Sequence, residues 1–151
     1  MPLTPKGINL FTFFNLPSAW WSGVRVEKIT SVTCDVKVNL LWINKNPFKS
    51  MFWAVQGMAA ELSTGVLIMQ EAKDLDIKIS MLVINNKANF TKKAKGKLVF
   101  SCWPNDSIKN TFQNLLETKN PQTLWLQSRG TDEKGDTVST FDFEWTLLLK
   151  Q

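Results

Sequence analysis

Residues 51–70 read MFWAVQGMAAELSTGVLIMQ. Met51, Val55, Met58, Leu62, Val66 and Met69 fall on one stripe at helical spacing. The opposite side carries Trp53, Ala60, Leu67 and Ile68. A helix that is apolar nearly all round belongs inside a protein, and one internal helix enclosed by a sheet meets that need. Ser50 stands where a capping side chain is expected. Glu61 is the only charged residue in the stretch. A carboxylate in an apolar helix is costly unless it is paired, hydrated or part of a site. Its neighbours on the helix face are Ala54, Gly57 and Gly65, all small, which leaves room for a ligand or a second helix. Burial there would raise its pKa toward the range of a useful general base. The competing reading is that Glu61 faces solvent or pairs with a lysine.

On either side of this helix the pattern turns to strands. Residues 24–29 and 33–42 read as two strands, and Cys34, Val36, Val38 and Leu40 in the second alternate with polar residues. Asn44-Lys-Asn-Pro then breaks the chain. After the helix, residues 77–94 read as one long strand or a bent pair. Lys95-Gly96 makes a turn, and residues 97–103 return. Residues 106–117 read as a short helix with Ile108, Phe112, Leu115 and Leu116 inward. Residues 123–129 and 137–149 form a hairpin, the second strand placing Phe141, Phe143, Trp145, Leu147 and Leu149 on one face. Residues 1–151 are expected to form a single domain, with residues 1–22 as a helical segment packing on it, ended near Pro17. Phe11, Phe13, Phe14, Trp20 and Trp21 there suit an amphipathic docking helix better than a cleaved leader. No stretch is apolar over a membrane-spanning length, and a cytoplasmic location is expected.

Composition narrows the chemistry. The chain has no histidine, which removes Ser-His and Cys-His nucleophile pairs, histidine bases and the common zinc sites. Cys34 and Cys102 lack metal-ligand spacing and read as buried apolar groups. No metal or cofactor is expected. The net charge of +5 suits an anionic partner: nucleic acid, lipid or a phosphate-bearing ligand. Nucleic acid is disfavoured, because the aromatics fall on inward strand faces and are not interleaved with the lysines.

The order of elements, together with Asn46-Pro-Phe-Lys-Ser-Met-Phe-Trp-Ala-Val-Gln-Gly-Met-Ala-Ala-Glu-Leu, resembles the hotdog superfamily of acyl-thioester enzymes. The phenylacetic-acid-type thioesterases and a related branch look most similar. The later stretch Phe90-Thr-Lys-Lys-Ala-Lys-Gly-Lys-Leu resembles the strand–Gly–strand connection of that family. The resemblance implies an α+β hotdog fold, an antiparallel sheet wrapped around one long central helix. In the family an Asn precedes the helix, His-Gly-Gly opens it and an acidic residue lies inside it. Here these positions fall on Asn46, on Phe52, Trp53 and Ala54, and on Glu61. Phe52-Trp53-Ala54 departs from the pattern, and the lost glycines narrow the space where a thioester carbonyl would meet the backbone.

The resemblance further implies hydrolysis of an acyl-CoA-like thioester, with coenzyme A entering as part of the substrate. The N–H of Trp53 or Ala54 would hold the carbonyl oxygen, Glu61 would activate water or attack, and Asn46 would orient water or the carboxylate. Gln56 and Thr64 would support them. Phe52, Trp53, Gly57 and Met58 would line the acyl site, although core packing is a competing reading for the large side chains. Lys92, Lys93, Lys95 and Lys97 would hold phosphates, or else form a solvated hairpin tip. Ala54 and Glu61 are separated by roughly 10 Å of helix rise, so one helix does not easily bring both to one carbonyl. The resemblance implies a site shared between subunits, hence a homodimer or a dimer of dimers. The alternative is a non-catalytic acyl-CoA or fatty-acid-binding protein of the same fold, which bulky Phe52 and Trp53 favour. Hotdog dehydratases use a histidine and do not fit.

Overall fold

The computed structural model describes residues 2–151. In chain order it comprises α1 (Pro5–Asn15), α2 (Pro17–Trp21), β1 (Arg25–Ile29), β2 (Cys34–Asn39), α3 (Trp53–Asp74), β3 (Ile79–Phe90), β4 (Lys97–Cys102), α4 (Ser107–Thr118), β5 (Gln122–Thr131) and β6 (Thr137–Leu149). The expected N-terminal helical segment is two helices. Pro17 cannot donate to continue α1, and its fixed φ suits the first turn of α2.

The central helix α3 starts two residues later than expected and runs one turn further. Ser50 does not cap it. Phe52 holds the cap position in an extended conformation with no side-chain acceptor, while Ser50 exchanges hydrogen bonds with Asn46. The α3 residues Ala59, Ala60, Val66 and Ile68 are wholly buried. Three buried polar links fix the helix against the sheet. Gln56 Oε1 accepts from Ser139 Oγ at 2.8 Å, Ser63 and Ser128 hydroxyls meet at 2.7 Å, and Trp145 Nε1 donates to Thr64 Oγ1 at 2.9 Å. Each such bond contributes about 1 kcal/mol when made, and leaving one partner orphaned costs more.

The six strands form one antiparallel sheet in the order β1-β2-β4-β5-β6-β3. Its inner face supplies Val36, Leu98, Phe100, Leu126, Phe141 and Leu147 to the core around α3. The last strand behaves as its alternation predicts: Phe141, Phe143, Trp145 and Leu147 are buried, and Asp142, Glu144 and Thr146 lie on the other face. This is an α+β hotdog fold, a sheet wrapped around one long helix. Gly130 makes a close approach possible, since a Cβ there would lie 2.5 Å from Cε1 of Phe100. Cys34 and Cys102 face each other across β2 and β4, fully buried and unbonded. Burial is the main reason that both thiols are pushed up to about 12.

One expectation about the strands is corrected. Lys95-Gly96 does not return the chain to a neighbouring strand. β3 pairs with β6 at the sheet edge, and β4 lies between β2 and β5. Residues 91–96 therefore cross from one part of the sheet to another, with Gly96 in the left-handed region at φ 68°.

The two sheet edges differ. At β1, the Asn9 side chain of α1 brackets Val26, donating to its carbonyl at 3.0 Å and accepting from its N–H at 2.8 Å. That amide takes the place of a neighbouring strand. Along β3, no element among the described residues covers the edge away from β6. Its outer half, from Ile84 to Phe90, is exposed.

Candidate active site

Glu61 lies near the middle of α3, at the rim of an apolar groove of about 410 Å³. Ile8, Phe11 and Leu16 form one wall of this groove, Met58 and Leu62 its floor, and Met81 and Trp145 the far side. Solvent reaches the carboxylate, but the apolar walls strip part of its hydration and raise its pKa. No lysine or arginine forms an ion pair with it among the described residues. The lysine-paired reading of Glu61 is thereby removed. The small residues beside it are used by the sheet: a Cβ on Gly57 would lie 3.5 Å from Phe141, and one on Gly65 3.4 Å from Trp145. Gly57 thus packs on Phe141, while Gly65 packs on Trp145 and still lines the groove.

A second, wider groove of about 570 Å³ surrounds the start of α3. Asn46, Phe48, Phe52, Trp53, Phe90 and Lys93 line it. The N–H groups of Trp53 and Ala54 have no acceptor among the described residues, so the positive end of the helix is open there. Phe52 and Trp53 are exposed and meet edge to face with ring centroids 6.1 Å apart. Asn46 has a structural task as well: its Oδ1 accepts from Phe48 N at 2.9 Å and Ser50 N at 3.2 Å, holding the turn that leads into the helix.

The two grooves share no residue. Glu61 and Met58 belong to the first; Asn46, Phe52, Trp53, Lys92 and Lys93 belong to the second. Phe52 and Trp53 therefore do not line the same apolar passage as Met58, because helix rise separates them. Thr64 is turned away from both grooves: it is wholly buried, donates to the Glu61 carbonyl at 2.8 Å and accepts from Trp145. Gln56 lines the second groove while its Oε1 accepts from Ser139. Of the lysines, Lys92 bridges Asp132 and Asp136, and Lys97 donates to Glu27 at 2.8 Å. Lys92 is thus held by carboxylates, not offered to a phosphate, and the segment is no hairpin tip. Lys93 has no ion pair among the described residues.

Two contributors escaped the reading of the sequence. The wall formed by Ile8, Phe11 and Leu16 depends on α1 and α2 folding back over α3, which the apolar run hints at without locating. Asn44 is buried and ties Ser22 and Asn39 carbonyls to the loop before α3, at 2.8 and 2.9 Å. Only its place in a chain-breaking cluster signals that role.

The family model described as Domain of unknown function (DUF4442) matches residues 8–147. The chain belongs to the DUF4442 family. Among curated proteins, none matches it. Solved structures similar to this DUF4442 domain include the protein PA5026 of Pseudomonas aeruginosa, of unknown function and described as a probable thioesterase. That likeness has a TM-score of 0.81 at 21% identity over 99% of both chains. A protein of unknown function from Chlorobaculum tepidum gives a TM-score of 0.84 at 16% identity over 98% of both chains. A candidate thioesterase from Shewanella oneidensis gives 0.83 at 12% identity, over 95% of this chain and 96% of that one. At these identities the likeness establishes the hotdog fold of the DUF4442 domain.

Proposed function

We propose that this chain hydrolyses acyl thioesters as a homodimer. The observation that carries the reading is Glu61, an unpaired carboxylate of raised proton affinity at the mouth of an apolar groove. The groove offers an acyl chain an apolar lining, and the carboxylate stands where water would meet the carbonyl. Glu61 takes a proton from water as its oxygen bonds to the carbonyl carbon. The tetrahedral intermediate then collapses, the carbon–sulfur bond breaks, and the thiolate leaves with that proton. The oxyanion requires several donors; in this carboxylate's own groove the Asn15 amide is turned to the Phe11 carbonyl and Ser18 offers a single hydroxyl. The open N–H groups of Trp53 and Ala54 in a second copy are the candidates, with Asn46 beside them and Lys93 toward a phosphate. Similar folds described as thioesterases support the reading.

The free edge of β3 supports the dimer. An uncovered strand edge is a template for pairing with another chain, and at the opposite edge Asn9 already occupies the N–H and carbonyl of Val26. Two copies joined along β3 form one continuous sheet.

Phe52 and Trp53 favour a second reading, a protein that binds acyl thioesters or fatty acids without cleaving them. Their side chains line the groove at the free N–H groups. Thiol release from short, long and aryl acyl-CoAs, wild type beside Glu61→Gln, separates the two. Turnover by wild type that is lost in the variant supports hydrolysis. Saturable binding with no thiol release by wild type favours the binding protein, and full turnover by Glu61→Gln refutes the role of this carboxylate.

A further inference from the structure

The inward side of the first helix is partly polar: beside buried Ile8, Asn9 brackets β1, and Thr12 is wholly buried, donating to the Ile8 carbonyl. Helical spacing places Lys6, Leu10, Phe13 and Phe14 on the outward arc. Leu10 is 60% exposed, Phe14 70%, and Trp21 on α2 65%. Such a face normally marks an interaction site. We propose that the outer face of α1 and α2 docks on an anionic lipid surface.

Charge and chemistry select this occupant. No acidic residue precedes Glu27, whereas Lys6 is exposed on the same arc and the whole chain carries +5. An anionic surface therefore attracts this segment, whose own residues carry no carboxylate; Glu61 lies beyond it, at the groove rim. Leu, Phe and Trp beside a basic side chain are the composition of helices that lie in a bilayer interface. The face is also continuous with the acyl groove, since Phe11 and Leu16 are exposed and line its wall. The groove mouth thus opens next to the docking face, and an acyl chain leaving the lipid passes from one apolar surroundings to another. That delivery step rests on the proposed thioester reading; the docking itself does not.

Co-sedimentation with vesicles tests the docking without any turnover. The full chain is mixed with vesicles of equal parts phosphatidylglycerol and phosphatidylcholine, and with phosphatidylcholine alone. Wild type is expected to pellet with the anionic vesicles, less with the neutral ones, and less again at high salt. Leu10→Ser combined with Phe14→Ser, and Trp21→Ser separately, weaken binding by about tenfold for each apolar side chain removed. These side chains are exposed, so the variants keep the fold. Glu61→Gln pellets like wild type, which separates failure of the docking from failure of the catalytic reading. Wild type remaining in the supernatant with both vesicle types overturns the proposal, as does wild-type binding by the double variant. A lower solution mass of the double variant in light scattering assigns the face to a second copy and also overturns it.

Discussion

Thr64→Val separates an architectural role from a role at the site. Valine keeps the shape of threonine and removes the hydroxyl that donates to the Glu61 carbonyl at 2.8 Å and accepts from Trp145 Nε1 at 2.9 Å. The indole N–H lies in a buried bond, and Thr64 itself is wholly buried, so water cannot replace the lost acceptor. An orphaned buried donor costs about 1–3 kcal/mol. For a chain of this size that lowers Tm by roughly 2–12 °C. Calorimetry and urea titration of wild type, Thr64→Val, Trp145→Phe and the double variant read it. Trp145→Phe removes the donor as well, so the double variant should be more stable than the sum of the single losses, with a coupling of about 1 kcal/mol or more. Thr64→Ser, which retains the hydroxyl, should stay near wild type. Additive losses across the cycle, or a Thr64→Val as stable as wild type, would refute the argument that this hydroxyl fastens the wall of the apolar groove.

Three further outcomes follow from the geometry. Glu61 has its pKa raised in the folded chain, so its protonated form favours folding; that contribution is complete below the ordinary glutamate range and is lost as pH rises through the folded value. Glu61→Gln should accordingly exceed wild type in urea midpoint at neutral pH and converge with it in acid, and a less stable variant at neutral pH would point to an unseen favourable partner. Gly130→Ala places a methyl 2.5 Å from Cε1 of fully buried Phe100, and overpacking of this kind costs about 1–3 kcal/mol, read as a lower thermal midpoint. Leu82→Lys puts a charge on the free edge strand and should convert the proposed dimer to monomer in light scattering, with loss of the proposed thiol release; an unchanged mass rules out assembly through β3.

The elements that could be read from the sequence are those in which one periodicity dominates. α3 is apolar on nearly every side and β6 alternates without interruption, so each declares itself and, together, they imply a helix inside a sheet. The position of β3 could not be read, because strand order depends on which partner arrives; β6, last in the chain, takes the pairing that nearness in sequence would have given to β4. Glu61 stood out as the lone charge in its helix. The wall opposite it did not, since Ile8, Phe11 and Leu16 reach the groove only through the fold of the whole domain. Ser50 misled as a cap because Asn46 engages its hydroxyl first, and Thr64 misled because a threonine near a carboxylate looks the same in sequence whether it faces a ligand or an indole. The lysines misled for a related reason: Asp132 and Asp136, far along the chain, come to Lys92 in space.

The facing pair Cys34 and Cys102 gives this chain a built-in clock. Both thiols are wholly buried in adjacent central strands, and with pKa values pushed up to about 12 they hold almost no thiolate at neutral pH. The folded protein is therefore expected to resist thiol reagents, so its own cysteines should add little colour to a thiol-release assay. When β2 and β4 part, both sulfurs become reactive in the same event. The rate of labelling then times the parting of β2 from β4, without a tag, a dye or an engineered residue.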